Sequence, residues 1–356
     1  MAKAVGAFLF CFGCVAAGAS MSMIAGRRLP LLLAALTPGA AGAAGAAEQV
    51  KVGLDLTISG YHAPWMVAQR KGYFTEQGLD VSIGRGFGSG DTVKRVASGE
   101  IDVGFHHTAN LIIANSEGAQ LRVVMSYLVQ ELCGAFSAAE DGNVTTAKKL
   151  EGQTWGGPKT GVCTDILPAV MEAAGVDTSK VKVRIVQQAE RFPMLAAGTI
   201  TATDSYLDKA FFIRKELAAA NKTMVYFRFA DYVSMYSSSV TVTRETMEKR
   251  PEMIEKIIVG LLKGFKFTVA EPDEAARIIG ELHPDIDKGY LRESLDLLLY
   301  AMWDDTARSK GPGFIDAAKM QGERDVLVRY LKLAASMPIE NLYTNRFVEA
   351  AHQKLK

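Results

Sequence analysis

No aspartate or glutamate occurs in the first 47 of the 356 residues, and the whole chain holds only 4 cysteines. Beyond residue 47 just Cys133 and Cys163 remain, with no CxxC pair and no His/Cys cluster, which excludes a structural zinc module. An oxidising compartment permits a bridge between these two. One pair without a spacing signature leads us to expect separate, mostly buried thiols instead. Charge of one sign is lacking as well: 40 Lys and Arg stand against 39 Asp and Glu. Nucleic acid is therefore excluded as a partner, because its binding relies on a basic face that neutralises phosphates. Tandem repeats and low-complexity linkers are also missing after Ala47.

The acid-free segment carries a signature of its own. Arg27-Arg28 precede the apolar stretch Leu29 to Leu36, and small residues end at Ala46-Ala47, which together read as a secretory signal cleaved near Ala47. The apolar stretch is too short to span a membrane. An earlier apolar run, Val5 to Ala19, leaves open a start at Met21 or Met23, and a lipoprotein reading at Gly13-Cys14 is weaker. Export to the periplasm is the expectation. Removing residues 1–47 leaves 309 residues with a net charge of −2, a size at which one core gives way to two.

What is present begins at Val50. Val50, Val52, Leu54 and Leu56 alternate with other residues until Thr57-Ile58-Ser59-Gly60 breaks the run. Pro64 suits a helix start, and the helical rhythm from Trp65 to Phe74 predicts a helix ended by Gly78, before the strand Leu79 to Ile83. This is a βαβ unit, whose ligands sit at the carboxyl ends of its strands; Asp55, Ser59, Tyr61 and His62 occupy that end. Gly86 to Asp91, with Phe87 and Ser89, is a glycine-rich turn opening the next helix, without the ending of a phosphate-binding P-loop. A strand from Ile101 to Phe105 ends at His106-His107-Thr108. The scheme then repeats: Trp155 ends a strand, and Gly157, Lys159, Thr160 and Gly161 lead into a helix, where free amides suit an anionic group. Arg191 at a later helix start is either exposed or a ligand clamp. Tyr236 lies between two extended stretches and either lines a hinge or packs a crossover. Pro251 to Val269 and the segments after it have helical spacing.

The stretch YHAPWMVAQRKGYFTEQGLDV, with VASGEIDVGF, LEGQTWGGPKTG, LAAGTITATD and YTNRF, resembles the periplasmic solute-binding proteins of the nitrate/sulfonate/taurine type. It is most similar to the branch shared with the thiamine-pyrimidine synthases. The resemblance implies an α/β, two-lobed binding protein of type II with a two-crossing hinge. Lobe 1 would span 48–136 and 238–356, with C-terminal helices, and lobe 2 would span 137–237. It also implies that His106, His107 and Thr108 end a pocket strand and that Asp204 and Tyr206 face the cleft. A small-molecule ligand, an inner-membrane permease with its ATPase, no cofactor and a monomer complete the expectation.

The synthases attach pyridoxal phosphate through a lysine, and here His106 stands at that place and Asn110 at the place of their histidine. An imidazole cannot form the Schiff base. Their cysteine-rich run is replaced by Met235-Tyr236-Ser237-Ser238-Ser239. A receptor without chemistry is thus the first expectation, the enzyme an alternative, and a sensor a third. The tryptophan that pyrimidine-binding members carry near the end of strand one is missing, since Asp55-Leu56 stands there. Tyr61, His62, Phe87, His106 and Tyr206 remain to stack a heterocycle. A sulfonate or nitrate held by Lys159 or Arg191 is the other choice of ligand.

Overall fold

The computed structural model describes residues 46–159, 161–334 and 337–356. The export segment read in residues 1–47 lies almost wholly outside the described residues, and Thr160 lies outside them too. Strands β1 (Glu48–Gly53), β2 (Leu79–Gly84), β3 (Val103–His107) and β4 (Leu121–Ser126) belong to one five-stranded sheet. Its order is β2-β1-β3-β10-β4, where β10 (Ser238–Thr243) comes from much later in the chain. β1 pairs in parallel with β2, from Glu48↔Leu79 to Gly53↔Gly84, and also with β3. β10 runs antiparallel to both β3 and β4.

The remaining strands are β5 (Cys133–Ala138), β6 (Thr154–Gly157), β7 (Lys182–Ile185), β8 (Thr203–Tyr206) and β9 (Met224–Arg228). β8-β5-β9 form an antiparallel sheet, β6 pairs in parallel with β7, and a bridge between Trp155 and Ala202 ties the two together. The chain thus leaves the first sheet once, through residues 127–132, and returns once, through residues 229–237. The expected border between residues 136 and 137 falls inside β5, all of which pairs in the second sheet. β5 is fully buried between two neighbours, so its apolar pattern carries no mark of which sheet owns it.

Helix Ala63–Arg70 starts as expected, with proline in its first turn, but stops early. Gly72 adopts φ +75°, and a single turn over Thr75–Gln77 then ends at Gly78, φ +74°. Glycine reaches this left-handed region without steric cost, so the chain turns back and still buries Phe74. That helix lies against helix Pro251–Ala270 so closely that a Cβ at Gly264 would stand 2.2 Å from the Pro64 carbonyl oxygen.

Aromatic side chains run through this core. Phe105 stands 4.6 Å from Tyr127, and Tyr127 stands 4.5 Å from Phe265, centroid to centroid. Such pairs add about 0.5–1.5 kcal/mol each beyond their buried area. The Tyr127 hydroxyl donates to the Tyr61 carbonyl at 2.9 Å, which anchors the loop after β1.

Contrary to expectation, Cys133 and Cys163 form a disulfide. Cys133 opens β5, and Cys163 sits in the first turn of helix Val162–Ala173. Their Cα atoms lie 5.3 Å apart, inside the range a bridge requires. Only the packing of that helix end on β5 brings them together. No helix among the described residues is long and apolar enough to cross a membrane.

Candidate functional site

The carboxyl end of β1 is held by backbone. Gly88 N–H donates to the Asp55 carbonyl at 2.8 Å, and Thr92 Oγ1 donates to the Leu54 carbonyl at 2.8 Å. A Cβ at Gly86 would stand 2.1 Å from that Leu54 oxygen, so only glycine lets the loop after β2 close here. Asp55 is buried, and its Oδ1 accepts from Leu56 N–H at 2.8 Å and His62 Nε2 at 2.9 Å. His62 Nδ1 accepts from Ser59 N–H at 3.1 Å, which puts the ring proton on Nε2, facing Asp55. The Tyr61 hydroxyl donates to both Asp55 oxygens at 3.3 Å. Burial, with the Asp55 charge added, pushes the Tyr61 pKa well up, so the phenol stays protonated and a donor.

Asp55 and Tyr61 face a small chamber of about 10 Å³, completed by Leu128, Leu132, Tyr206, Asp208, Ser237 and Ser238. That is roughly the room of one water. Its walls come from both sheets and from both crossing segments.

The crossings also meet a buried ionisable group. His107 Nε2 lies 3.0 Å from Glu131 Oε2, and Glu131 Oε1 accepts from Cys133 N–H at 2.8 Å. Burial opposes charge on His107, yet Glu131, together with Glu323 and Asp55, more than offsets it, and the pKa is raised. Ala109 N–H points at Nδ1 from 3.2 Å, a hydrogen bond that a fully charged ring would give up. Glu323, on helix Ala317–Leu331, accepts from Tyr236 N–H at 3.0 Å. Burial lifts its pKa to about 8, and its Oε1 has no partner among the described residues.

A second cavity, of about 80 Å³, is walled by Pro158, Gly161, Val162, Cys163, Gln188, Arg191, Asp204, Ser205 and Tyr206. Arg191 is 6 % exposed. Its Nη1 donates to the Asp204 carbonyl at 2.6 Å and lies 3.5 Å from Asp204 Oδ1. Thr164 Oγ1 donates to Asp204 Oδ2 at 2.7 Å. Burial raises the Asp204 pKa, with Arg191 working in the other direction, and burial lowers that of Arg191. Arg191 Nε is buried without a partner among the described residues.

A family model described as NMT1/THI5 like matches residues 59–275. The chain belongs to the NMT1/THI5-like family. A riboflavin-binding protein of Chloroflexus aurantiacus is 24% identical over 308 residues, 85% of this chain and 86% of that protein. A formylaminopyrimidine-binding protein of Halalkalibacterium halodurans is 28% identical over 263 residues, 72% of this chain and 78% of the other. Among solved structures, a periplasmic sulfonate-binding protein of a sulfonate ABC transporter from Methylobacillus flagellatus superposes with a TM-score of 0.66. The match covers 87% of this chain and 95% of that one at 14% identity, and it shows the fold. The NMT1/THI5-like chain therefore has the periplasmic binding protein fold, and its two relatives are named as binding proteins.

On this family member the expected site residues separate into groups. Asp55, Tyr61 and Tyr206 line the chamber, and Gly161, Arg191, Asp204 and Tyr206 line the second cavity. Gly157 backs that second cavity, since a Cβ there would meet Asp204 Oδ1 at 3.1 Å. Ser59 and His62 support Asp55 from behind. Ser89 Oγ accepts from His107 N–H at 3.1 Å, and Thr108 Oγ1 pairs with Ser239 Oγ at 2.7 Å, both serving the β3 end.

His106 does not reach the chamber. Its Nε2 meets Thr241 Oγ1 at 2.7 Å, its Nδ1 meets the His107 carbonyl at 3.0 Å, and burial holds its pKa at about 4. It is a neutral residue of the sheet. Phe87 is 74% exposed and stacks under Arg85, and Lys159 is exposed. Tyr236 donates nothing to the chamber: its hydroxyl accepts from Asp316 N–H at 2.8 Å.

Sequence reasoning missed Asp208, Glu131, Glu323, Ser237 and Ser238. Ser237 and Ser238 fall in the stretch that replaces the synthases' cysteine-rich run, just before the extended segment expected from Ser239. The three acids carry no local signal, because their partners are set by packing. Among the described residues no group of three or more His, Cys, Asp or Glu is placed to hold a metal ion.

Proposed function

We propose that the protein is the exported receptor of an ABC importer, which captures a small nitrogen heterocycle by closing two lobes around it and releases it unchanged to a permease. One observation carries this reading: the chamber is walled jointly by both sheets and both crossings, so opening at the crossings opens the chamber. The lobes would be residues 48–132 with 238–356, and residues 133–237. The residues preceding Ala47 would direct export to the periplasm, and the receptor would act as a monomer with no cofactor.

At about 10 Å³ the chamber describes a closed form, far below the roughly 300–1,000 Å³ of a small-molecule site. Ligand entry therefore requires the hinge to open. Rim contacts between the lobes favour the closed form. Arg214 meets Glu293 at 2.8 and 2.9 Å, and Lys215 meets Asp287 at 3.1 Å. These pairs are exposed and contribute little each, so ligand contacts must decide the balance. Moving the equilibrium from 1:99 to 99:1 takes about 5.5 kcal/mol. Two or three charge-assisted hydrogen bonds of about 1.5–3 kcal/mol supply it.

The names of the two relatives support a heterocyclic ligand over a sulfonate, and so do the two carboxylates on the chamber wall. A thermal-shift panel of pyrimidines, flavins, aromatic acids, taurine and nitrate on residues 48–356 tests the reading. A true ligand at 100 times its Kd stabilises by about 2.7 kcal/mol, and small-angle scattering should show compaction from the open form. Conversion of the ligand into product, or binding without any change in shape, overturns it.

A further inference from the structure

We propose that Asp208 is the specificity-determining residue of the chamber, selecting ligands that present N–H donors and rejecting anions. The inference rests on the receptor reading above. Asp208 is 4% exposed and lines the chamber. Its two oxygens have different surroundings. Oδ2 accepts from Lys209 Nζ at 2.7 Å and from the Tyr290 hydroxyl at 2.7 Å. Oδ1 is buried and has no hydrogen-bond partner among the described residues.

A buried acceptor left unmade is unfavourable, and a donor that reaches it recovers that loss. No Lys, Arg or His side chain lines the chamber to take this place. Lys209 is already committed to Oδ2 and to the Tyr290 hydroxyl at 3.0 Å. Asp55 stands on the same wall with its Oδ2 engaged, among the described residues, by Tyr61 alone at 3.3 Å, so the chamber offers two carboxylate acceptors. An amino-substituted heterocycle satisfies such acceptors with N–H groups in its ring plane. A nitrate, sulfonate or carboxylate would instead place a buried anion against them, without a cation to pair it. A ring carbonyl at the same position would set acceptor against acceptor.

Asp208 also joins ligand reading to closure. Tyr290 lies on helix Lys288–Ala301, across the rim from the turn that carries Asp208, and their hydrogen bond fixes the carboxyl here; on the receptor reading, opening the lobes would part them. Discrimination should therefore appear in the closed complex rather than in first encounter.

The test is calorimetry on residues 48–356 with a 4-amino-2-methylpyrimidine and its 4-oxo counterpart, each also run against Asp208→Asn. The wild type should favour the amino compound at least tenfold. In Asp208→Asn, whose side-chain amide can turn a donor to the ring carbonyl, that preference should fall to within about threefold. Taurine and nitrate should not bind the wild type. Preference unchanged in Asp208→Asn, or tighter binding of taurine or nitrate than of either pyrimidine, overturns the proposal and leaves a receptor of another specificity. No heterocycle binding at all overturns the receptor reading together with it. Should Asp208→Asn fail to fold, a crystal structure of the wild-type complex decides: the ligand amino nitrogen must lie within about 3.2 Å of Asp208 Oδ1, and a distance beyond hydrogen bonding refutes the assignment.

Discussion

The two cavities that share Tyr206 are built from the same kinds of group and end in opposite states. In the second cavity the acid and the base are both on the wall: Arg191 and Asp204 face each other, and Thr164 completes the acid. Its charge is balanced inside the protein. In the chamber the balancing partners lie behind the wall: His62 stands behind Asp55, and Lys209 with Tyr290 stands behind Asp208. Asp208 Oδ1 is left without a partner among the described residues. A charge pair balanced within the protein is structure, whereas Asp208, held through Oδ2 with Oδ1 unpartnered among the described residues, is poised for a ligand. By this comparison, the basic residue that sequence alone makes attractive, Arg191, is the weaker candidate.

The largest expected effect tests the charge-balanced side. Arg191→Met strands Asp204 as a buried charge and should lower unfolding free energy by about 3–5 kcal/mol, read by urea denaturation. Adding Asp204→Asn should recover most of that loss. A cost below about 1 kcal/mol in the single variant would mean that Arg191 is free for a ligand, and the contrast would collapse.

Next is the disulfide that ties the second cavity's helix to β5. The bridge closes a segment of 30 residues, so reduction or Cys163→Ser should cost about 3–4 kcal/mol by chain entropy. Melting with and without a reducing agent checks this. Heterocycle affinity at a temperature where the protein stays folded should change far less than with Asp55 variants.

Asp55→Ala removes the acceptor for His62, Tyr61 and Leu56 N–H, with an expected loss of about 1.5–3 kcal/mol in stability. Unlike the Arg191 change, it should also abolish ligand-induced thermal shift. Retained ligand response would sever the chamber from binding.

Taken per pH unit, the smallest effect reads the crossings that join the two regions. Glu323 stays protonated in the native state up to about pH 8, while the unfolded carboxyl ionises near 4.5. Its contribution is full below the unfolded value and is lost as pH rises through the native one. Stability should thus decline from this group between those values, by at most about 1.4 kcal/mol per pH unit. Glu323→Gln should flatten that decline. His106 acts with the other sign: its native pKa of about 4 lies below the ordinary 6.5, so its contribution is present above 6.5 and lost as pH falls through 4. An unchanged profile in Glu323→Gln would show that another group sets the alkaline side.

Much of the fold was legible because its cues are local. The alternation from Val50 to Leu56 and the turn at Thr57–Gly60 mark the β1 end where Asp55 and Tyr61 stand. Apolar spacing found the helices, and the return of the chain to the first sheet could be placed near Ser238. The early stop of the first helix at Arg70 was not legible, since Tyr73 and Phe74 continue the apolar rhythm through a turn made by Gly72.

The amino-acid sequence by itself determined the family, the parallel βαβ opening and the strand ends that ligands use, because hydrophobic period and glycine placement act over a few residues. Tertiary structure alone decided which polar groups face inward. His106 and His107 are neighbours on one strand, yet one is sealed within the sheet and the other meets Glu131, 24 residues away. Asp208 gained its role only when Tyr290, 82 residues on, claimed one of its oxygens and left the other bare. Partnership between distant side chains is a property of packing, and no local pattern encodes it.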